Sequence, residues 1–147
     1  MKNFFIFIGA LFLLMCTVLI TSSLVVPKEN NFEVRVNFEK LEYHDKEEVN
    51  LEAVFKNKTL GFFRPTFGYS PVYIQVYEFG ENPPAVLSIA IKSVMVPRGE
   101  FNYSSSFVLD IEKDYYVSAI SNFTYKGRDY YIENKYTIID GRVEKLI

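Results

Sequence analysis

The sequence predicts an all-β protein, an antiparallel β-sandwich of about seven strands that follows one apolar N-terminal helix. Two observations predict the sandwich. Apolar and polar residues alternate with a period of two, and clusters of turn-forming residues separate the alternating runs. A third observation, an uncharged run near the N-terminus, predicts the helix.

The N-terminal helix is predicted from residues 4–26, which carry no charge. Such a helix would be ~35 Å long and would cross the ~30 Å hydrocarbon core of a bilayer. A cleavable secretory signal is the alternative, with Thr21 and Ser23 as the small residues before the cut. Lipidation of Cys16 is disfavoured, because Met15 lies where a lipoprotein signal requires a small residue.

The charge before the apolar run predicts the orientation of the chain. Lys2 precedes the run, and the positive-inside tendency places it in the cytoplasm and the rest of the chain outside. We therefore expect residues 1–26 to be a membrane anchor or signal segment, residues 27–31 a short linker and residues 32–147 one exported domain. The predicted location is the cell membrane with a single span, or the medium if the segment is cleaved.

The strands are predicted from rows of inward-facing residues such as Val49, Leu51, Ala53 and Phe55. The predicted strands cover residues 32–38, 49–56, 72–76, 86–96, 101–109, 115–123 and 132–138. The turn clusters that separate them lie at residues 57–59, 80–84, 97–100 and 126–129. Short antiparallel strands without crossover helices favour two sheets packed face to face, and a barrel is the alternative.

Several short motifs resemble those of prokaryotic extracellular immunoglobulin-like domains. In chain order they are Tyr43-His44-Asp45-Lys46-Glu47-Glu48-Val49, Asn57, Gly68-Tyr69-Ser70-Pro71-Val72-Tyr73-Ile74, Pro97-Arg98-Gly99-Glu100 and Asp114-Tyr115-Tyr116-Val117-Ser118-Ala119. Their order and spacing are also similar to those of the BsuPI-type proteinase-inhibitor family, over residues 32–139. The chain departs from the pattern at Lys113, where such domains often have Gly.

This resemblance implies an immunoglobulin-like sandwich, and for the inhibitor family it implies an exposed loop that engages a peptidase. No residue of the sequence identifies such a loop, so we assign no inhibitory residue. In these sandwiches a Tyr at the start of the penultimate strand often buries its ring and bonds to backbone, and Tyr115 is the matching residue.

Catalytic and metal-dependent functions are not predicted. His44, the one His, lies in a polar turn, and no Gly-x-Ser-x-Gly sequence presents a nucleophile. Cys16 lies in the apolar run, and the neighbours Glu47 and Glu48 point to opposite faces of a strand. We therefore predict a non-enzyme without cofactor or metal. The formal net charge of −2 argues against nucleic-acid binding.

One stretch, residues 60–69, is unusually rich in aromatic residues between Gly and Pro. Two interpretations are open: the rings cap one end of the sandwich, or they form an exposed patch for a partner. The residues of the possible patch are Phe62, Phe63, Phe67 and Tyr69. A second cluster, Tyr125, Tyr130 and Tyr131, flanks the turn at residues 126–129 and could stabilise that hairpin or be displayed at its tip.

Three Asn-x-Ser/Thr sequons occur, at Asn57, Asn102 and Asn122. The strand phasing predicts that all three side chains are accessible, Asn57 in a turn and the other two on outward-facing strand positions. On an exported domain, accessible sequons are possible N-glycosylation sites.

Three functions are compatible with these features. The first is an envelope protein that displays an immunoglobulin-like sandwich for contact with a protein or a glycan. The second is an exported peptidase inhibitor on the same sandwich. The third, weaker, is a subunit of a surface filament or layer. In each case the expected partners are the membrane, through residues 4–26, and an unidentified envelope protein, peptidase or glycan.

Overall fold

Two antiparallel sheets form the body of the protein in the computed structural model, which describes residues 7–17, 26–59, 63–84, 92–93, 96 and 98–146. The strands are β1 (Phe32–Phe38), β2 (Glu48–Asn57), β3 (Thr66–Phe67), β4 (Tyr73–Glu78), β5 (Lys92–Ser93), β6 (Gly99–Val108), β7 (Tyr115–Tyr125), β8 (Arg128–Ile139) and β9 (Arg142–Lys145). The three-stranded sheet has the order β1-β2-β6. The six-stranded sheet has the order β5-β3-β7-β8-β9, with β4 also paired to β7.

The predicted all-β, two-sheet architecture is confirmed, and six of the predicted strands correspond to β1, β2, β4, β6, β7 and β8. The sequence missed two short strands. Strand β3 lies in the Gly- and Pro-rich stretch that was not expected to pair, and β9 has only four residues after a tight turn. The predicted strand at 86–96 falls mostly outside the described residues, which include only β5 and residue 96 of it.

The inner faces of the two sheets follow the predicted alternation. Val49, Leu51, Ala53 and Phe55 of β2 are all buried, as are Val117, Ala119 and Phe123 of β7. Successive side chains of a strand point to opposite faces, so each of these rows lies against the facing sheet.

Aromatic rings fill the centre of this interior. Phe123 lies at their focus, with ring centroids of Phe32, Phe63, Phe67 and Tyr130 between 4.9 and 5.5 Å away. Phe32 belongs to the three-stranded sheet, whereas Phe67 and Tyr130 belong to the six-stranded sheet. The cluster therefore holds the two sheets together, and mostly edge-on or tilted ring pairs of this kind add to the free energy of burial.

A backbone clasp closes the end of the sandwich where β1 leads into β2. Tyr43 is buried, its N–H donates to the carbonyl of Gly141 at 2.9 Å, and its hydroxyl accepts from the N–H of Lys40 at 3.1 Å. Tyr115 is buried as predicted and packs against Phe107. The hydroxyls that bond to backbone include those of Tyr43 and Tyr130, whereas that of Tyr115 makes no such bond with the described residues.

The N-terminal part of the chain contains a helix, α1, at residues 7–17. Its apolar side chains are exposed, including Phe7, Phe12 and Leu13. Within the described residues, no helix combines the length and the apolar character needed to cross a bilayer. The predicted span at 4–26 also includes residues 4–6 and 18–25, which lie outside the described residues.

The chain joins the body of the protein at Pro27. Pro27 is buried, and its carbonyl accepts a hydrogen bond of 2.7 Å from the hydroxyl of Tyr130. A 3-10 turn at Glu29–Asn31 then leads directly into β1. The end of the sandwich from which the N-terminal segment leaves is therefore fixed by a buried hydrogen bond.

We predict that Gly141→Ala destabilises the full chain far more than Gly127→Ala. Both glycines lie in two-residue turns at positive φ, +75° and +72°, so both substitutions carry the strain of an L-residue there. Only at Gly141 would the added Cβ also lie 2.2 Å from the carbonyl oxygen of Tyr43, whereas Gly127 has open space around it. We expect losses of about 3 kcal/mol and about 1 kcal/mol in unfolding free energy, respectively.

Urea unfolding of the two variants and of the unmodified chain measures this difference. Equal losses for the two variants would show that the clasp between Tyr43 and Gly141 is not closely packed.

Candidate binding face

The outer face of the six-stranded sheet carries a layer of aromatic side chains. Strand β4 pairs with β7 so that Tyr73 lies opposite Ile120 and Tyr77 opposite Tyr116. We call this surface the tyrosine face, and its aromatic members are Tyr69, Tyr73, Tyr77, Phe79, Tyr116 and Tyr131. Strand parity explains the arrangement, because Ile74 and Val76 of β4 pack against the interior and the residues at alternate positions, including Tyr73 and Tyr77, point outward.

The rings of this face contact one another. Phe79 stacks on Tyr116 with centroids 4.1 Å apart and planes 14° apart, and Tyr77 lies 5.3 Å from the same ring. Tyr69 meets Tyr73 edge-on at 5.8 Å. Such packing restricts the side chains before any partner arrives, which lowers the entropy lost on binding.

A cation lies among these rings. The Lys135 ammonium is 4.0 Å from the centroid of Tyr116 and 5.2 Å from that of Tyr77. Cation–π contacts of this kind hold a lysine side chain flat across a ring face. The face thus offers aromatic surface together with one positioned donor group.

The aromatic layer shields the outer surface of the sheet beneath it. Ser118 and Ile120 of β7 point outward by strand parity, yet both are buried. Among the described residues, the hydroxyl of Ser118 has no hydrogen-bond partner. The layer therefore excludes water from part of the sheet, as an interface core does.

Three rings at the edges of the face are the most accessible. Tyr131 is 58% exposed, Tyr69 53% and Phe79 39%, whereas Tyr73, Tyr77 and Tyr116 are half-buried. A folded protein normally exposes large apolar side chains singly, so this group of rings makes the tyrosine face a candidate interaction surface.

The carboxylate of Glu133 acts on two tyrosine hydroxyls of the face. The hydroxyl of Tyr131 donates to this carboxylate at 3.1 Å. Loss of hydration against the neighbouring rings, and then the negative charge of Glu133, raise the pKa of Tyr131 to about 12. The same two causes raise the pKa of Tyr73. Both hydroxyls are therefore neutral hydrogen-bonding groups at every physiological pH.

The outer face of the three-stranded sheet is different in character. Its amides and carboxylates are already paired with one another: the side chains of Asn37 and Asn102 both donate to Glu52, at 2.9 and 2.8 Å, and Ser106 donates to Glu48 at 2.9 Å. A shallow hollow of about 620 Å³ lies over this network. Self-paired polar groups that face water are typical of a solvated surface rather than of an interface core.

The predicted aromatic patch at residues 60–69 is not exposed as a unit. Phe63 and Phe67 are each only 2% exposed, because both rings pack on Phe123 in the interior. These two residues therefore belong to the core, as the alternative of a capped end expected. Tyr69 is exposed and joins the tyrosine face, and Phe62 lies outside the described residues.

The second predicted aromatic cluster is divided between the two sides of the sheet. Tyr130 is fully buried against Phe123, whereas Tyr131 points outward. Tyr125 is half-buried, 4.8 Å from Phe63.

The three sequons have different environments. Asn57 is buried, and the prediction that it is accessible was wrong: its amide donates to the carbonyl of Val96 at 3.2 Å and its side-chain oxygen accepts from Thr59. Asn102 and Asn122 are exposed, as predicted. Asn122 pairs with Tyr131 across the tyrosine face, so a glycan there would cover part of that face.

Strand parity could have revealed the residues of the tyrosine face that the sequence analysis missed. The prediction considered only the inward-facing residues of β4 and left out the residues at the alternate, outward-facing positions. Those positions are Tyr73, Gln75, Tyr77 and Phe79. A strand whose outward row is aromatic departs from the usual polar exterior of an antiparallel sheet.

Comparison with protein-family models, with curated proteins and with solved structures finds no match for this chain. Among the described residues, no group of three or more His, Cys, Asp or Glu side chains is arranged to hold a metal ion.

We predict that replacing Glu133 with Gln lowers the pKa of Tyr131 toward 10, because the variant removes the negative charge that opposes ionisation. NMR titration of ring-labelled tyrosines, assigned with Tyr131→Phe, measures this shift. Because the folded pKa is raised, the stabilisation linked to Tyr131 is complete below pH ~10 and is lost as the pH rises toward 12. An unchanged pKa of Tyr131 in the variant would show that the charge of Glu133 does not raise it.

Proposed function

We propose that this protein is a non-enzymatic component of the cell envelope, membrane-anchored or secreted, that binds a protein or a glycan through its tyrosine face. The observation that carries the proposal is the contrast between the two outer faces of the sandwich. One face presents contiguous aromatic rings and a lysine, and the other presents polar groups that are paired among themselves.

The composition of the tyrosine face favours recognition. Tyrosine supplies a large rigid ring and a hydroxyl at a small cost in conformational entropy, and it is enriched among residues that dominate binding energy. Ring faces accommodate the flat apolar side of a sugar or a peptide side chain, while the hydroxyls and Lys135 supply hydrogen bonds. The mixture suits a partner that is itself partly apolar and partly polar.

The strand order supports the proposal of an immunoglobulin-like domain. Strands β1-β2-β6 have the neighbours of strands A, B and E of such domains, and β4-β7-β8 have those of strands C, F and G. Tyr115 is buried at the start of β7, where such domains often have a corner tyrosine, although its hydroxyl makes no backbone bond with the described residues. The resemblance to the BsuPI-type family belongs to the same proposal.

The N-terminal segment supports the proposal of export. Residues 4–26 are uncharged and follow Lys2, and the described helix α1 exposes apolar side chains that the sandwich does not cover. We infer that these residues anchor the protein in the membrane or direct its secretion.

We predict that the double variant Phe79→Ser/Tyr131→Ser weakens partner binding at least tenfold, which corresponds to about 1.4 kcal/mol. Both rings lie at accessible edges of the face, so the fold should tolerate their loss. The test is a binding screen of the full chain in detergent against envelope polysaccharides, envelope proteins and a panel of peptidases, followed by titration of each ligand found.

The matched control is Tyr103→Ser, which removes a ring that is 38% exposed on β6 of the other sheet. A ligand whose affinity falls with the face variant and not with this control supports the proposal. A ligand that binds both variants equally would place the binding site elsewhere. If the chain inhibits a peptidase at a stoichiometric ratio, and neither variant weakens that inhibition, the result would favour an inhibitor function that uses another surface.

A further inference from the structure

The two ends of the sandwich carry opposite charge. One end is formed by residues 26–31, 57–59, 63–65, 98–100 and 124–129, which contain six bases against three acids. The bases of this basic end are Lys28, Lys58, Arg64, Arg98, Lys126 and Arg128, and all are exposed. The formal net charge of this end is therefore +3, whereas that of the whole chain is −2.

The structure brings these separate segments together. The N–H of Lys58 donates to the carbonyl of Asn31 at 2.8 Å, and Arg128 lies 3.7 Å from Glu29. Strand β2 ends where β6 begins, with Asn57 paired to Gly99, next to Arg98. The β7–β8 turn lies at the same end because the hydroxyl of Tyr130 bonds to Pro27.

The opposite end, formed by residues 38–49, 78–84, 108–115 and 139–142, contains eleven acids against four bases. The four bases are already paired: Lys40 with Glu47, Lys46 with Asp45 and Asp110, Lys113 with Glu78, and Arg142 with Glu42. The remaining negative charge faces water. The body thus has a basic end and an acidic end, separated by the length of its strands.

The basic end is also the end at which the N-terminal segment leaves. Pro27, which directly follows the uncharged residues 4–26, is buried at that end. If those residues lie in a bilayer, the basic end is held within a few residues of the headgroups. Exposed lysines and arginines at this distance are attracted to anionic lipid, and the attraction falls off within the ~8 Å Debye length of physiological salt.

We propose that the basic end of the sandwich rests on anionic phospholipid headgroups, with the acidic end pointing away from the membrane. This inference depends on the anchoring part of the proposed function. Attraction at one end and repulsion at the other orient the body so that its strands stand along the membrane normal. The tyrosine face then points sideways, parallel to the membrane surface, and is open to neighbouring envelope molecules.

The test places the full chain in lipid nanodiscs that contain a paramagnetic headgroup lipid. Two kinds of disc are compared, one of phosphatidylcholine alone and one with about a third phosphatidylglycerol. NMR relaxation of backbone amides is measured in the β7–β8 turn at residues 126–127 and in the β8–β9 turn at residues 140–141. These two turns mark the basic and the acidic end.

In anionic discs we expect severalfold stronger relaxation at residues 126–127 than at residues 140–141. The difference should shrink in neutral discs, and also in anionic discs at ~1 M salt, where the Debye length is ~3 Å. Lys28→Glu/Arg64→Glu should abolish the difference. Arg142→Glu/Lys145→Glu, which changes the net charge equally at or near the acidic end, should leave it intact.

Relaxation that is equal at both turns, or equal in neutral and anionic discs, would overturn the inference while leaving the anchor and the tyrosine face standing. A chain that enters neither kind of disc would overturn the inference together with the anchoring part of the proposed function. The binding screen with Phe79→Ser/Tyr131→Ser is independent of both outcomes.

Discussion

The inward position of Phe123 determines how the two sheets pack and which side chains of β7 point outward. Its ring contacts aromatic residues of both sheets, among them Phe32, Phe55 and Tyr130, so it fixes how the sheets face each other. It also fixes the parity of β7, since a slip of one residue would turn every side chain of that strand to the other face. With Phe123 inside, Tyr116 must lie outside.

Register then transmits this parity to the neighbouring strands. Tyr116 pairs with Tyr77 of β4, and Asn122 pairs with Tyr131 of β8, so the outward tyrosines of three strands meet on one surface. Phe63 and Phe67 pack inside against Phe123, and the alternate residues of the same sheet form a second aromatic layer outside. The core and the tyrosine face are two sides of one sheet, so the packing of the core also fixes the geometry of the tyrosine face.

The sequence predicted the features that depend on the alternation of apolar and polar residues. It did not predict the features that depend on contacts between distant parts of the chain. Inward rows such as Val49 to Phe55 were correct because one buried face specifies strand phase. The buried position of Asn57 was not predictable from the local sequence, because the partner of its amide, the carbonyl of Val96, lies 39 residues away in the chain. Asn134 is a polar residue among the inward-facing positions of β8, and its side chain is satisfied there because it donates a hydrogen bond to the carbonyl of Val34 in the facing sheet. The strands β3 and β9 were missed because two and four residues are too few for a periodic signal.

The aromatic residues are divided between a sealed core and an accessible tyrosine face. Hydroxyl-radical footprinting of the full chain, read by mass spectrometry of individual residues, tests this division most directly. We expect rapid oxidation of Tyr69, Phe79 and Tyr131, and protection of Phe63, Phe67, Phe123 and Tyr130. Oxidation of Phe63 and Phe67 as fast as that of Tyr131 would contradict the account, because these rings would then form the exposed patch and the core would lack its aromatic centre.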